Sequence, residues 1–438
     1  MNTAAYSRDV LVWRGATAVP RAQLLREAAG LAALLPDGEF VMNLCEQREN
    51  FLLLFAAALL GGRTQLMPAT RGEAALGELG IQYPEAFRVG DEEVRAWRAS
   101  LTPAAEVPDL SADADRLLMV GFTSGSTGKS QPHPKRWRAL AASARLNSAA
   151  IRAALRAAPG APVSIVGTVP AHHMYGIELT VLLPLFTQMS VHAERPLFPA
   201  DVAAALSQPA RPRLLVSTPL HLRALAESGL AFPDIDLIVS ATAPLDPALA
   251  RLVEARLRAP LLEMFGSTET CVFATRRTAQ QDEWRLYEGV TLDPARDFTR
   301  VGADWFQRPQ QLQDVLEKRG EQGFVLLGRN ADLVEVAGKR ASLADITRRL
   351  CAVAGVLDAV AFQPEAAAPG TANRVAAVVV SRGVSARQIA NQLAANLDAV
   401  FVPRPLVLVD HIPRDAVGKV SRAKLLELTR SSAPEQSR

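Results

Sequence analysis

The sequence predicts an α/β fold, with a large N-terminal domain of mainly parallel sheets covered by helices and a small α+β domain after it. Three observations predict this. From about residue 116, short apolar runs alternate with helical patterns. Each run ends in a polar, turn-forming stretch. From about residue 330 the texture changes, and a hairpin, two strands and two helices follow. The expected boundary therefore separates residues 1–329 from residues 330–438.

The elements follow in order. "FLLLFAAALLGG" (51–62) is apolar on every side but too short to span a bilayer, so it reads as a core helix. "RLLMVGF" (116–122), "PVSIVGTVP" (162–170), "RLLVSTP" (213–219), "DLIVSATAP" (236–244) and "PLLEMFG" (260–266) read as buried strands. Helical patterns occupy 136–156, 177–187, 219–229 and 246–258 between them. In sheets of this kind, ligands gather at the carboxyl ends of the strands. The segments there are "TSGSTG", "AHHMYG", "STPLH", "ATAPL" and "GSTET", and five such loops at one sheet edge would make a site. Beyond residue 330, "DLVEVAGKRAS" reads as a hairpin, "LADITRRLCAVAG" and "SARQIANQLAANL" as helices, and "LDAVAFQ" and "RVAAVVVS" as strands. "HIPRDAVGKVSRAKLLEL" carries Lys419 on a loop into a final helix, and the tail "SSAPEQSR" reads as frayed.

Composition excludes several classes. The chain has 438 residues, 49% of them hydrophobic, which is ample for a packed core. Lys plus Arg number 48 against 45 Asp plus Glu, and no block of like charge stands out, so no nucleic-acid or membrane-surface partner is implied. Cys45, Cys271 and Cys351 are odd in number and far apart, which yields neither a disulfide framework nor a metal motif. The N-terminal residues lack a basic-then-apolar signal, so the expected compartment is the cytoplasm.

The loop "FTSGSTGKS" (122–130) suggests phosphate binding. A phosphate-wrapping G-x-x-x-x-G-K-[ST] loop needs glycine five positions before Gly128, and that position is Thr123. Ser130 completes the ending, but the wrapping glycine is missing. Thr123, Ser124, Ser126 and Thr127 supply hydroxyls instead, which bind phosphate without a tight wrap. On this loop alone, an ordinary surface turn is the competing reading.

Three more segments bear on the choice: "MFGSTET" (264–270), "GRNADLVEVAGKR" (328–340) and "PRDAVGKVSR" (413–422). In this order and spacing, the four segments resemble the adenylate-forming superfamily of acyl-CoA synthetases, peptide-synthetase adenylation domains and luciferases. That resemblance implies ATP as cosubstrate, Mg²⁺, a carboxylic acid activated to acyl-AMP, and transfer to a thiol. It also implies that the C-terminal domain is mobile and rotates between the two half-reactions.

Residue by residue, it implies a phosphate loop of Thr123, Ser124, Gly125, Ser126, Thr127, Gly128 and Lys129. Lys419 would bridge the attacking carboxylate and the α-phosphate, supplying positive charge where negative charge develops. Its competing reading is a solvated loop lysine. Thr268 would bond the α-phosphate and Glu269 would hold Mg²⁺, although a Thr-Glu pair also suits a helix start. Phe265 and Gly266 would flank the adenine, Asp314 would accept the ribose hydroxyls, and Arg329 would contact the same nucleotide. Asp314 sits in "LQD" where the family has "TGD", and a surface Asp before a turn is the alternative. The pivot position is Ala331, beside Asn330, where the family usually has Asp or Lys. Gly338 would approach the pantetheine arm.

"VPAHHMYGIE" (169–178) resembles the family's "P-x-x-H-x-x-G", which places His173 on the acyl pocket, with Tyr175, Ser217, Thr218, Ala241 and Thr242 as further lining. A strand-end histidine satisfied by hydrogen bonds is the alternative for His173, and His172 beside it has no third ligand at metal-site spacing. "TVPAHHMYGIELTVLLPL", "NLCEQRENFLLLFAAALLGG" and "STPLHLRAL" resemble a compact subgroup with a short N-terminal part. That subgroup accompanies aryl-polyene and xanthomonadin-type pigment clusters and implies a hydroxybenzoate-like acid loaded onto an acyl carrier protein. Free CoA is the alternative acceptor. A P-loop phosphotransferase and a non-catalytic nucleotide-binding scaffold are the alternatives of other classes.

Overall fold

The computed structural model describes residues 10–68, 70–124, 130–295, 298–329, 333–336, 339–364, 374–395, 397–414 and 420–431. The chain divides by packing into two compact units, residues 1–290 with 303–308 and residues 291–302 with 309–438. This division follows contact density. The boundary expected from the change of texture, at 329/330, lies about twenty residues beyond the last change of unit at 308/309.

The first unit holds, in chain order, β1 (Val10–Arg14), β2 (Thr17–Pro20), β3 (Phe40–Asn43), β4 (Thr64–Met67), β5 (Ala86–Val89), β6 (Leu117–Ser124) and β7 (Ser130–Arg136). There follow β8 (Val163–Gly167), β9 (Met189–His192), β10 (Arg213–Ser217), β11 (Leu237–Ser240), β12 (Leu261–Ser267), β13 (Cys271–Arg276) and β14 (Trp284–Leu286). One sheet runs β5-β3-β4-β6-β7 and is parallel up to its last pair, the antiparallel hairpin of β6 and β7. The other carries the order β14-β13-β12-β11-β10-β8-β9-β1-β2. It is parallel from β12 through β1, with antiparallel pairs at both margins.

Strands β8, β9, β10 and β11 are buried at nearly every position rather than at alternate ones, as strands covered on both faces are. Val166, Leu215, Ile238 and Leu261 of β8, β10, β11 and β12 pack with Val202, Leu222, Leu249 and Val253 from the helices Pro199–Ser207, Pro219–Glu227 and Pro247–Leu257. The last two helices start cleanly. Thr218 and Asp246 cap them, and proline takes the first helical position, where no N–H is needed. The helix Arg48–Leu60 is buried from residue 48 to residue 59, as its all-round apolarity requires.

One expectation is corrected. The strand at 116–122 lies in a different sheet from the other four, because β6 pairs with β4 and β7 rather than with β8 or β12. Four of the five predicted loops share a sheet edge, and the fifth belongs to the neighbouring sheet. The helix expected over 177–187 starts earlier, at Met174, and contains a π-helical turn at Glu178–Leu182. Gly176 permits the early start, since a Cβ there would stand 1.8 Å from the Pro170 carbonyl oxygen.

The second unit contains most of β15 (Val290–Pro294), with β16 (Thr299–Ala303), β17 (Gln310–Leu312), β18 (Asp314–Arg319), β19 (Gly323–Arg329), β20 (Leu333–Val336) and β21 (Lys339–Ser342). These form the sheet β15-β16-β17 and two antiparallel hairpins, β18–β19 and β20–β21. After them come β22 (Val356–Phe362), β23 (Ala376–Ser381) and β24 (Leu406–Leu408). The central strand β23 shows a period of two. Ala377 and Val379 face the helices Leu343–Cys351 and Ala386–Ala394, while Ala376 and Val378 pack with Leu425 of Arg422–Ser431. No helix among the described residues is long and apolar enough to cross a membrane. Cys45 and Cys271 are buried, and Cys351 is exposed.

Candidate active site

The β6–β7 hairpin reaches the turn between β12 and β13, although the two belong to different sheets. The Lys135 ammonium donates to the Glu269 carbonyl oxygen at 2.5 Å. His133 Nε2 lies 3.6 Å from the Glu269 carboxylate and 2.9 Å from the Thr123 hydroxyl. Gly121 allows this approach, because a Cβ there would stand 2.9 Å from Thr268 Cγ2. His133 thus stands between Thr123, which opens the segment assigned to phosphate, and Glu269, the residue assigned to metal.

The turn is rigidly built. Ser267 and Thr270 bond each other through backbone and side chain, at 3.1 and 3.3 Å. Cys271 follows with φ +61°, a left-handed conformation that a non-glycine residue adopts only when its surroundings impose it. Gly266 lies against Cys271 and Val272, and a Cβ there would stand 2.2 Å from the Cys271 carbonyl oxygen. The Thr-Glu pair therefore opens no helix, because residues 268–270 form a turn and a strand follows. Burial pushes the Glu269 carboxyl up. The Ser267 hydroxyl, its own backbone N–H and the nearby His133 and Lys135 outweigh burial and hold it below the ordinary glutamate value. The carboxylate is ionised at neutral pH and partly open to solvent. Burial holds His133 below the usual imidazole value, with Glu269 acting against it and Lys135 adding to it.

Phe265 packs edge-to-face against Phe273 and at a tilt against Trp284, with ring centroids at 5.3 and 5.1 Å, and the Arg276 guanidinium lies over the Trp284 ring.

A second cluster gathers at the carboxyl ends of β8, β10 and β11. The Tyr175 hydroxyl donates to the Ser217 and Val239 carbonyl oxygens, at 3.2 and 3.1 Å, so it is committed to the strand ends. Ser217 Oγ bonds Thr168 Oγ1 at 2.9 Å, and His221 Nδ1 lies 3.0 Å from Thr168 Oγ1 and 3.3 Å from Thr218 Oγ1. Ala241 is buried beside this cluster in sequence, and Thr242 follows with φ +80° and a buried hydroxyl that has no hydrogen-bond partner among the described residues. His173 stands at the N-cap of the helical stretch that starts at Met174, with its ring 4.5 Å from that of His172. Burial, with Arg71, His173 and Arg195 nearby, lowers the His172 pKa to about 3. Among the described residues no group of three or more His, Cys, Asp or Glu side chains forms a metal cluster.

In the second unit, Asp314 is buried on β18 and pairs in register with Arg329 of β19, which removes the reading of Asp314 as a surface turn residue. Gly125, Ser126, Thr127, Gly128, Lys129, Asn330, Ala331, Gly338 and Lys419 lie outside the described residues, as do the side chains of Ser124 and Arg329.

Sequence reasoning passed over three residues. Lys135 is buried at 3% exposure and holds the acidic turn. Arg48 is buried and donates to the carbonyl oxygens of Gly167, Val169, His192 and Glu194, at 3.0, 2.8, 3.3 and 2.7 Å, at the ends of β8 and β9. Burial first and Arg195 second lower its pKa to about 9. Glu178 is buried within "YGIELTVLL". For the last two, the available signal was a charge inside or directly beside an apolar run, where charges are rarely buried without a purpose.

Fold and site together define an α/β enzyme in which a hydroxyl-rich hairpin is set against an acidic turn. Residues 23–296 match the family described as AMP-binding enzyme, and the chain belongs to that family. It is an adenylate-forming ligase, and enzymes of this kind use ATP. It is similar to a 4-coumarate–CoA ligase of Halorhodospira halophila, 28% identical over 343 residues that cover 76% of this chain and 83% of that protein. A second 4-coumarate–CoA ligase, from Rhodobacter capsulatus, is 32% identical over 250 residues, covering 56% of this chain and 61% of the relative. Among solved structures, o-succinylbenzoate CoA synthetase of Bacillus subtilis in complex with its acyl-adenylate superposes with a TM-score of 0.79 at 17% identity, covering 95% of each chain.

Proposed function

We propose that the protein activates an aromatic, hydroxybenzoate-like carboxylic acid with ATP and Mg²⁺ and passes the acyl group to a phosphopantetheine thiol. The observation that carries this reading is the junction of β6–β7 with the β12–β13 turn through Lys135, His133 and Glu269, inside the segment that matches the family. The names of the two coumarate ligases support an aromatic acid and free CoA as acceptor. The stretch "TVPAHHMYGIELTVLLPL", which resembles the pigment-cluster subgroup, supports an acyl carrier protein as a second reading of the acceptor.

In the first half-reaction a carboxylate oxygen bonds the α-phosphorus and pyrophosphate leaves. The acid is already ionised at neutral pH, so no base is required. What is required is positive charge at the α-phosphate, which Lys419 supplies, with Thr268 donating a hydrogen bond. Glu269 is an ionised, partly exposed carboxylate and fits Mg²⁺, which takes one or two carboxylates together with phosphate oxygens. When bound there, the ion would neutralise phosphate charge. Asp314 and Arg329 hold the nucleotide, and Phe265 and Gly266 border the adenine. In the second half-reaction the thiolate bonds the acyl carbon and AMP leaves. Residues from 330 onward turn about Ala331 and bring Gly338 towards the thiol arm.

The test is ATP–pyrophosphate exchange with benzoate, 3- and 4-hydroxybenzoate, 4-coumarate and fatty acids, followed by CoA or holo-carrier protein. Exchange with an aromatic acid and thioester formation with one acceptor are expected. Exchange with fatty acids alone would remove the aromatic assignment.

A further inference from the structure

Glu178 lies in the interior of the first unit, 1% exposed. It opens the π-helical turn Glu178–Leu182, and such turns concentrate at functional sites. Every group that the structure places against its carboxylate is a donor. Ser143 Oγ donates at 2.5 Å, Asn147 Nδ2 at 3.2 Å, and the Val272 backbone N–H at 3.0 and 3.2 Å to the two oxygens. Asn147 is fixed in turn, because its amide oxygen accepts from the Tyr287 hydroxyl at 2.8 Å.

We infer that Glu178 is a positioning residue that locks the β12–β13 turn, and with it Thr268 and Glu269, to the helical stretch that begins beside His173. The inference rests on the proposed nucleotide role of Thr268 and Glu269. The turn is held at two points. Lys135 holds it at Glu269, and Glu178 holds its exit at Val272, directly after the left-handed Cys271. A left-handed non-glycine residue persists only where its neighbours over-determine it, and the Val272 N–H is the adjoining anchor. A carboxylate suits this post because it only accepts, and each partner only has to donate. The carboxyl is raised above the ordinary value by burial, with the bonds from Ser143, Val272 and Asn147 and the charge of Lys135 acting against that rise. Glu178 therefore ties the wall of the acyl pocket to the turn that meets the nucleotide.

The experiment titrates ATP with Mg²⁺ into full-length wild type, Glu178→Ala, Glu178→Gln and a core control, Val253→Ala, with thermal unfolding of each. Glu178→Ala is expected to bind ATP about tenfold more weakly or worse, and Glu178→Gln within about threefold of wild type, since the amide keeps one acceptor oxygen. Val253→Ala is expected to lower Tm with unchanged affinity. A folded Glu178→Ala protein with ATP affinity within about twofold of wild type overturns the inference, as does an equal loss in the core control. If Glu178→Ala does not fold, Ser143→Ala takes its place, and unchanged affinity there overturns the inference. Exchange failing with every aromatic acid, while this affinity pattern holds, counts against the aromatic assignment alone.

Discussion

Lys135 Nζ and the Glu269 carbonyl oxygen lie 2.5 Å apart, joining a strand of one sheet to a turn of the other. Lys135 is almost fully buried, so this bond fixes the acidic turn from the hairpin side. Its loss would leave a carbonyl unsatisfied and free the turn to drift from the β6–β7 hairpin. Lys135→Met is expected to lower ATP–pyrophosphate exchange about tenfold or more while the protein still folds. Lys135→Arg is expected to restore part of it. Full exchange in a folded Lys135→Met protein would show that the junction has no part in the chemistry.

Lys419 carries the proposed charge at the α-phosphate. Lys419→Ala is expected to reduce adenylation at least ~100-fold with unchanged Tm, since removing a group that stabilises developing charge costs that much. Thioester formation from a preformed acyl-adenylate should fall far less. Unchanged adenylation in the folded variant would place Lys419 outside that step.

How much of this was legible in the sequence depends on the kind of signal. The strands β8, β10, β11 and β12 are largely apolar runs bounded by turn residues, so their existence could be read directly. Their sheet membership could not. "RLLMVGF" has the same texture as the others, and only its pairing with β4 and β7 puts it in a second sheet. The site shows the same split. Thr268 and Glu269 belong to a motif, which marks them as candidates without any knowledge of the fold. Lys135, Arg48 and Glu178 act through groups 134, 119 to 146 and 94 positions away, and no local pattern records such distances.

Thr242 combines φ +80° with a buried hydroxyl that lacks a partner among the described residues. A β-branched residue is strained there, and strain of this kind is retained where function requires the side chain. Thr242→Gly is expected to raise stability by about 1 kcal/mol, because the relief of strain exceeds the entropy cost of glycine. The same variant should bind the acid more weakly, which exchange at varied acid concentration measures as a raised KM. A Tm that falls, with KM unchanged, would make Thr242 a packing residue.

His172 sets a pH dependence whose sign can be worked out. Burial first, then Arg71, His173 and Arg195, lower its pKa from 6.5 to about 3. Between those values the unfolded chain binds a proton that the folded chain refuses, so stability falls as pH drops below 6.5 towards 3. The slope approaches about 1.4 kcal/mol per pH unit for one such group. Glu178 and Glu263 act in the opposite sense, because burial raises both above the ordinary carboxylate value and they favour the folded state as pH falls. Wild type alone would mix these effects, and His172→Gln separates them. Denaturant melts from pH 7.5 down to 5 should show wild type losing stability faster than His172→Gln. Parallel curves would mean that His172 accepts its proton in the folded protein, which would require water or an acidic partner beside its ring.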